Sequence, residues 1–145
     1  MFQQILIAWD ASRPAVHALD IAIDLARRYD GEIVAVSVAQ APTHAETRED
    51  RDESVEAARE HLEGTLGEVR DRADRVGIPL EHVIITGSHP AEDILRFAHD
   101  HGTDLVIVGR HSSSRAGRML LHGVSDQLAR SAQLPVLIVG EPNGG

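Results

Sequence analysis

Three arginines in a loop between Leu105 and Ser125 are the strongest candidates for chemistry in this sequence. The stretch begins as a short apolar strand, continues as a loop of Gly, Ser and Arg, and ends in a helix. It contains Arg110, Arg115 and Arg118 and no acidic residue. The chain carries a formal charge of -9, so this stretch of +3 leaves -12 for the remainder. A positive loop between a strand and a helix predicts an anion site, because helix N-termini also attract negative charge.

Several residue types in this loop suit phosphate, each for its own reason. Gly109 lacks a Cβ, so its backbone can approach a ligand closely. Ser112 begins a run of three hydroxyl groups, and Gly123 opens a helix whose first amides, from Val124 onward, favour phosphate. Arginine binds phosphate oxygens through forked hydrogen bonds. The alternative is a solvent-exposed loop that binds nothing, and these residue types by themselves favour neither interpretation.

Elsewhere in the chain, candidate functional residues are isolated. Asp10 follows the first apolar strand, where it could position a ligand or a metal ion, or cap the next helix. Trp9 alternates with isoleucines, which favours the core over a base-stacking surface. His99, His101 and His111 have no third ligand placed by spacing, which favours surface histidines over a metal site. Cysteine, lysine and the G-x-S-x-G pattern are absent, so no thiolate, Walker A or nucleophile-elbow chemistry is expected, and no catalytic residue is predicted.

The elements that must position these residues alternate regularly along the chain. The predicted strands are 4–10, 32–39, 82–86, 104–109 and 135–139, and the predicted helices are 13–29, 53–76, 90–101 and 118–132. The strands are apolar on both faces. This pattern predicts a single α/β domain, doubly wound, with a five-stranded parallel sheet and helices on both faces. Ligands of such sheets bind beyond the carboxyl ends of the strands, which here present Asp10, Val38, Gly87 and Gly109.

Composition limits the remaining possibilities. At 145 residues the chain is long enough for one domain, which we expect over residues 1–140. Residues 40–52 are expected to form a solvated loop and residues 141–145 a flexible tail. No apolar run approaches the ~20 residues of a membrane span, and an acidic chain should repel nucleic acid. We expect a cytoplasmic protein without membrane or nucleic-acid partners.

Four segments, taken together, resemble a known family. The opening ILIAWDAS, the turn GSHPAEDIL, the stretch DLVIVGRHSSS and the closing LPVLIVG are similar to universal stress proteins of the UspA type, in the same order and over nearly the whole chain. The resemblance implies the UspA-like fold, similar to that of the adenine nucleotide alpha hydrolases. It also implies a homodimer formed through the last strand, here Val136, Leu137, Ile138 and Val139. Some members bind ATP and others do not.

The loop matches the nucleotide motif of the family only in part. ATP-binding members carry G-x2-G-x9-G-[S/T], and the first glycine is Gly109. The second glycine falls on Ser112, the third on His122 and the final Ser/Thr on Gly123. A shift of one residue would make Gly123 the third glycine, with Ser125 two positions later. The altered motif implies weaker binding, because side chains at Ser112 and His122 stand where backbone amides would meet phosphate.

The adenosine end of the site is also implied by the resemblance. Asp10 matches the acidic residue after the first strand, although Asp-Ala-Ser stands in place of the usual Asp-Gly-Ser. Val38 falls where the backbone meets adenine. The expected ligand is ATP or another adenine nucleotide, with or without Mg²⁺, with charge from Arg110, Arg115 or Arg118. The alternative is a nucleotide-free homodimer that acts through a protein partner. A metal site is not predicted, and no more than slow, incidental ATP hydrolysis is expected.

Overall fold

A computed structural model of the protein describes residues 1–40, 47–110 and 123–140, and five strands and five helices lie within those ranges. The strands are β1 (Gln4–Ala8), β2 (Glu32–Gln40), β3 (Leu80–Gly87), β4 (Leu105–Gly109) and β5 (Val136–Val139). The helices are α1 (Arg13–Tyr29), α2 (Arg48–Gly64), α3 (Leu66–Asp74), α4 (Pro90–Asp100) and α5 (Val124–Ser131).

The five strands form one parallel sheet in the order β3-β2-β1-β4-β5. The chain moves outward from β1 to β3 and then returns to place β4 on the other side of β1. Helices α1 and α3 pack on one face of the sheet, and α4 and α5 pack on the other. The predicted doubly wound α/β fold is confirmed. The strand order reverses between β1 and β4, so the carboxyl ends of these two strands border the crevice where such folds bind ligands.

The central strand β1 is buried on both faces. Ile5 and Ile7 face the α1 side together with Trp9, whereas Leu6 and Ala8 face the α4 side. Successive side chains of a strand point to opposite faces, so a strand covered on both sides is a continuous apolar run. Trp9 is completely buried, and the prediction that it belongs to the core is confirmed.

The segment between β2 and β3 differs from the prediction at its start. The predicted loop 40–52 is wrong over 48–52, because α2 already begins at Arg48; residues 41–46 lie outside the described part of the chain. Thr47 is the N-cap of α2, and its hydroxyl oxygen accepts a hydrogen bond from the Asp50 amide. Glu49 and Asp50 in the first turn complement the helix dipole. These capping residues indicate the start of a helix at Arg48, but the absence of apolar residues there makes the segment look like a loop.

The predicted single helix 53–76 is also wrong, because the structure divides it at Thr65. The Thr65 hydroxyl donates to the carbonyl oxygen of Leu62 at 2.7 Å and accepts the indole N–H of Trp9 at 2.9 Å. A hydroxyl that binds a carbonyl of the preceding turn competes with the helix backbone, and glycines at 64 and 67 lower helix propensity on either side. The break therefore follows from a contact with a residue 56 positions away.

The last helix is shorter than the predicted 118–132. α5 begins at Val124 because Gly123, its N-cap, has a φ of +77°, which lies in the left-handed region. Residues 118–122 lie outside the described part of the chain, as does the predicted tail 141–145.

Hydrogen bonds connect Trp9, Ser37 and His82 in the interior, on the α1 side of the sheet. The hydroxyl of Ser37, which is fully buried, donates to the carbonyl oxygen of Trp9 at 2.7 Å and lies 2.9 Å from Nε2 of His82. Burial lowers the pKa of His82 below its ordinary value, and the nearby Arg70 guanidinium lowers it further. Both effects favour the neutral form of His82.

We expect the pKa of His82 to make folding stability fall in mild acid. Below about pH 6.5 the unfolded chain takes up a proton at this histidine before the folded chain does, so the folded state loses relative stability as pH falls. His82→Gln, whose amide can still donate to Ser37, should lose less stability than the parent when urea denaturation is compared near pH ~7.5 and ~5.5. The exposed His99→Gln is the matched control, and an equal loss in parent and His82→Gln would contradict the assignment.

Candidate functional site

Asp10 and the N-terminus of α1 form one wall of the crevice between β1 and β4. Oδ1 of Asp10 accepts hydrogen bonds from the Ser12 amide at 3.0 Å and the Ser12 hydroxyl at 2.5 Å. Ser12 is the N-cap of α1, and its hydroxyl oxygen accepts from the Ala15 amide. Asp10 is 8% exposed. The prediction that Asp10 caps the next helix is wrong as stated: Ser12 is the cap of α1, and Asp10 binds Ser12.

Ala11 has an unusual backbone conformation between these two residues. Its φ is +63°, in the left-handed region that glycine adopts without a steric penalty. An L-residue with a Cβ pays about 1–2 kcal/mol there. The turn is held in place by the two hydrogen bonds between Asp10 and Ser12. The departure from Asp-Gly-Ser to Asp-Ala-Ser in the sequence therefore adds local strain to the crevice wall.

Gly109 lies at the end of β4, against the first turn of α1. A Cβ at this position would lie 2.6 Å from the carbonyl carbon of Pro14 and 2.8 Å from its oxygen. Backbone atoms cannot move aside as a flexible side chain can, so any larger residue would displace α1 from the sheet. The sequence suggested that Gly109 admits a ligand; in the structure, the space that a Cβ would take is filled by Pro14. A substitution at this position therefore tests the fold as well as any ligand.

Val38 is 1% exposed and its side chain packs in the core on the α4 side, so any contact that it makes with a ligand would come from its backbone. The even-numbered residues of β2 direct their amides and carbonyls toward β1: the Glu32 amide donates to Gln3, and the Val36 carbonyl accepts from Trp9. The Ile33 amide, in contrast, donates toward β3. The register of β1 with β2 ends at Ala8 and Val36. The amide and carbonyl of Val38 therefore face the space beyond the end of this ladder.

The phosphate side of the predicted site is described only in part. Ser112, Arg115, Arg118 and His122 lie outside the described residues, as does His111. Gly123 precedes α5, whose first two residues Val124 and Ser125 are buried. Ser125 is the residue that the one-position shift of the motif placed after the third glycine.

Arg110 lies on the β5 side of β4. Its amide donates to the Val139 carbonyl, and a guanidinium nitrogen lies 3.7 Å from where a Cβ of Gly140 would be. The guanidinium of Arg110 is therefore near the end of β5, on the opposite side of β4 from β1.

Ser37 is the residue of this region that the sequence analysis missed. It joins the carbonyl of Trp9, which precedes Asp10, to the strand that carries Val38. The available signal was a single hydroxyl residue in the otherwise apolar run EIVAVSVA. A polar side chain inside such a run is expected to have a hydrogen-bonding partner, because burial without one is costly.

The described part of the chain offers neither a metal centre nor a membrane-spanning helix. Within those ranges no three or more His, Asp or Glu side chains come together in an arrangement that could hold a metal ion. His99 and His101 are exposed at the end of α4, which confirms them as surface residues. No helix in the described ranges has the length and apolar character needed to cross a membrane.

Comparisons with known proteins give a consistent result. A model of the universal stress protein family matches residues 1–140. A universal stress protein from Methanocaldococcus jannaschii is 28% identical over 98% of this chain and 84% of its own length. The crystal structure of a family member from Burkholderia pseudomallei is 29% identical, with a TM-score of 0.78 over 94% of this chain and 95% of that one. A universal stress protein solved in complex with cAMP is 26% identical, with a TM-score of 0.72 over 97% and 98%.

Replacing Ala11 with glycine should stabilise the protein. Removing the left-handed strain of about 1–2 kcal/mol outweighs the added flexibility of the unfolded chain, about 0.4–1 kcal/mol, so the net gain should be about 0.5–1 kcal/mol. Ala57→Gly, in the exposed part of α2, is the matched control and should destabilise by about 1 kcal/mol. Urea denaturation of both variants measures the difference, and a loss of stability in Ala11→Gly would contradict the strain.

Proposed function

Because the chain belongs to the universal stress protein family, we propose that it binds an adenine nucleotide at the carboxyl ends of β1, β2 and β4. The family membership confirms the resemblance seen in the sequence. The observation that carries the proposal is the backbone of Val38, which faces the space beyond the end of the β1–β2 ladder. Asp10 follows the end of β1 at the border of the same space. A donor, an acceptor and a carboxylate thus follow the ends of two neighbouring strands, β1 and β2.

These three groups suit the adenosine part of a nucleotide. Adenine presents the N1 acceptor beside the N6 amino donor, and the amide and carbonyl of one residue can meet both. The carboxylate of Asp10 can accept from ribose hydroxyls, as acidic residues do in other nucleotide-binding α/β sheets. Because Oδ1 of Asp10 already accepts two hydrogen bonds from Ser12, the carboxylate is held in place before a ligand arrives.

The N-terminus of α5 and the basic loop are the proposed phosphate site. The amides of Val124 and Ser125 belong to the first turn of α5, and the first amides of a helix attract anions. Arg115 and Arg118 supply charge, with Ser112 and His122 at the altered motif positions. Mg²⁺, where the nucleotide carries it, would be bound by the phosphates. The altered motif leads us to expect weak binding, and the cAMP complex of a relative that is 26% identical supports an adenine nucleotide as the ligand class.

The role we propose is that of a stress-response protein that binds a nucleotide and catalyses no reaction of its own. The names of the relatives describe stress proteins and specify no reaction. A homodimer through β5 belongs to the same proposal. β5 is an edge strand, and Leu137 on it is 37% exposed.

Calorimetric titration with ATP, with and without Mg²⁺, tests the nucleotide proposal. Replacing both Arg115 and Arg118 with glutamine should weaken ATP binding roughly tenfold or more, because hydrogen bonds to charged groups contribute about 1.5–3 kcal/mol. Adenosine should bind the variant and the parent equally. The matched control replaces Arg27 and Arg28, at the far end of α1, and should bind ATP like the parent. No heat and no thermal shift at millimolar ATP would sink the proposal.

Light scattering at micromolar concentration tests the homodimer. Leu137→Asp should shift the parent dimer toward monomer, because a charge in the centre of a paired edge strand is costly to bury. Val76→Asp is the matched control: Val76 is 40% exposed and follows α3, away from β5, so the dimer should persist. A monomeric parent protein would remove this part of the proposal.

A further inference from the structure

We infer that Ser37 is a positioning residue for the nucleotide site, which keeps the backbone of Val38 available by engaging the carbonyl of Trp9. The inference rests on the proposed function, and it specifies why the donor and acceptor for adenine are not used within the sheet. Nothing in the family comparison assigns a role to this buried hydroxyl.

The hydrogen-bonded ladder between β1 and β2 stops one bond earlier than the geometry of parallel strands would allow. In parallel strands, one residue bonds two residues of the adjacent strand. Its amide donates to the carbonyl of the first, and its carbonyl accepts from the amide of the residue two positions later. The Trp9 amide donates to the Val36 carbonyl at 2.9 Å, so the next bond should run from the Val38 amide to the Trp9 carbonyl. Among the described residues the structure does not form that bond, and the Trp9 carbonyl accepts the Ser37 hydroxyl at 2.7 Å.

The position of Ser37 explains this exchange. Ala35, two residues earlier on β2, packs on the α1 side of the sheet, so the Ser37 hydroxyl lies on that face, whereas the Val38 amide lies in the plane of the sheet. A carbonyl that binds the hydroxyl is directed out of the plane. Val38 is 1% exposed, and a buried backbone amide without an acceptor is rare in folded proteins. In the proposed site the nucleotide supplies the acceptor that the sheet does not.

Two further contacts hold the arrangement. A serine hydroxyl has one proton, and Ser37 donates it to Trp9, so the 2.9 Å contact with His82 requires Nε2 of that histidine to be the donor. The lowered pKa of His82 agrees with the neutral ring that this tautomer describes. At the other end, the indole N–H of Trp9 donates to Thr65, whose hydroxyl donates to Leu62. Trp9 is thus held through both its backbone and its side chain.

The consequence is specific to one amide. Without the Ser37 hydroxyl, the Trp9 carbonyl can accept the Val38 amide, and the ladder extends by one bond. That bond uses the donor that adenine N1 needs. Ser37 acts through Trp9 and Val38 and does not itself contact the nucleotide.

The experiment compares Ser37→Ala with the conservative Ser37→Thr. In the absence of nucleotide, hydrogen exchange at the Val38 amide, followed by NMR, should slow at least about tenfold in Ser37→Ala, because the amide gains an acceptor. Adenosine affinity, measured by calorimetry, should fall about tenfold, which corresponds to one hydrogen bond. Ser37→Thr keeps the hydroxyl and should behave like the parent in both measurements. If the alanine variant does not fold, Ser37→Val, which has the shape of threonine without its hydroxyl, should show the same two changes.

The two measurements separate this inference from the proposed function. Unchanged hydrogen exchange at the Val38 amide in a folded Ser37→Ala or Ser37→Val variant overturns the inference, whether or not the parent binds adenosine. Equal adenosine affinity in these variants and the parent also overturns it. If the parent binds no nucleotide, the proposed function fails by itself. Slower hydrogen exchange at the Val38 amide in the variant would still support the inference that Ser37 keeps this amide from the Trp9 carbonyl.

Discussion

The end of hydrogen bonding between β1 and β2 at Trp9 is the constraint on which the candidate site depends. Up to Ala8 the two strands are paired in register, and both faces of β1 are covered by helices. The carbonyl oxygen of Trp9, in contrast, accepts a hydrogen bond from the hydroxyl of Ser37. A sheet that stopped pairing without such a partner would leave a buried carbonyl unsatisfied, at a cost of about 1–3 kcal/mol. The Ser37 hydroxyl satisfies the Trp9 carbonyl and so removes that cost.

Close packing fixes the opposite wall of the crevice. Gly109 at the end of β4 touches the backbone of Pro14, so α1 begins as near to the sheet as a chain can approach. The turn that leads into α1 passes through the left-handed conformation of Ala11 and is braced by Asp10 and Ser12. Strain and short contacts of this kind persist only where surrounding structure over-determines them. Here both occur beside the strand reversal.

Sequence pattern predicted the elements well where burial is regular. Apolar runs identified all five strands, and the alternation with helices determined the doubly wound class, because parallel strands covered on both faces must be apolar throughout. The errors fell where a cap or a distant contact outweighs periodicity. Thr47 starts α2 among polar residues, and Thr65 ends it through Trp9. Neither effect changes the spacing of apolar residues, so that spacing could not predict these helix boundaries.

By itself, the sequence determined the fold class, the placement of Trp9 in the core and the four strand ends, since these follow from local pattern, and four segments in order indicated the family by resemblance. The tertiary structure decided what the residues at those positions contact. It showed that Gly109 packs on Pro14 and that Asp10 acts through Ser12. The polar chain of Trp9, Ser37 and His82 joins residues 28 and 45 positions apart. Such contacts depend on the register of neighbouring strands, which the chain establishes only when it folds.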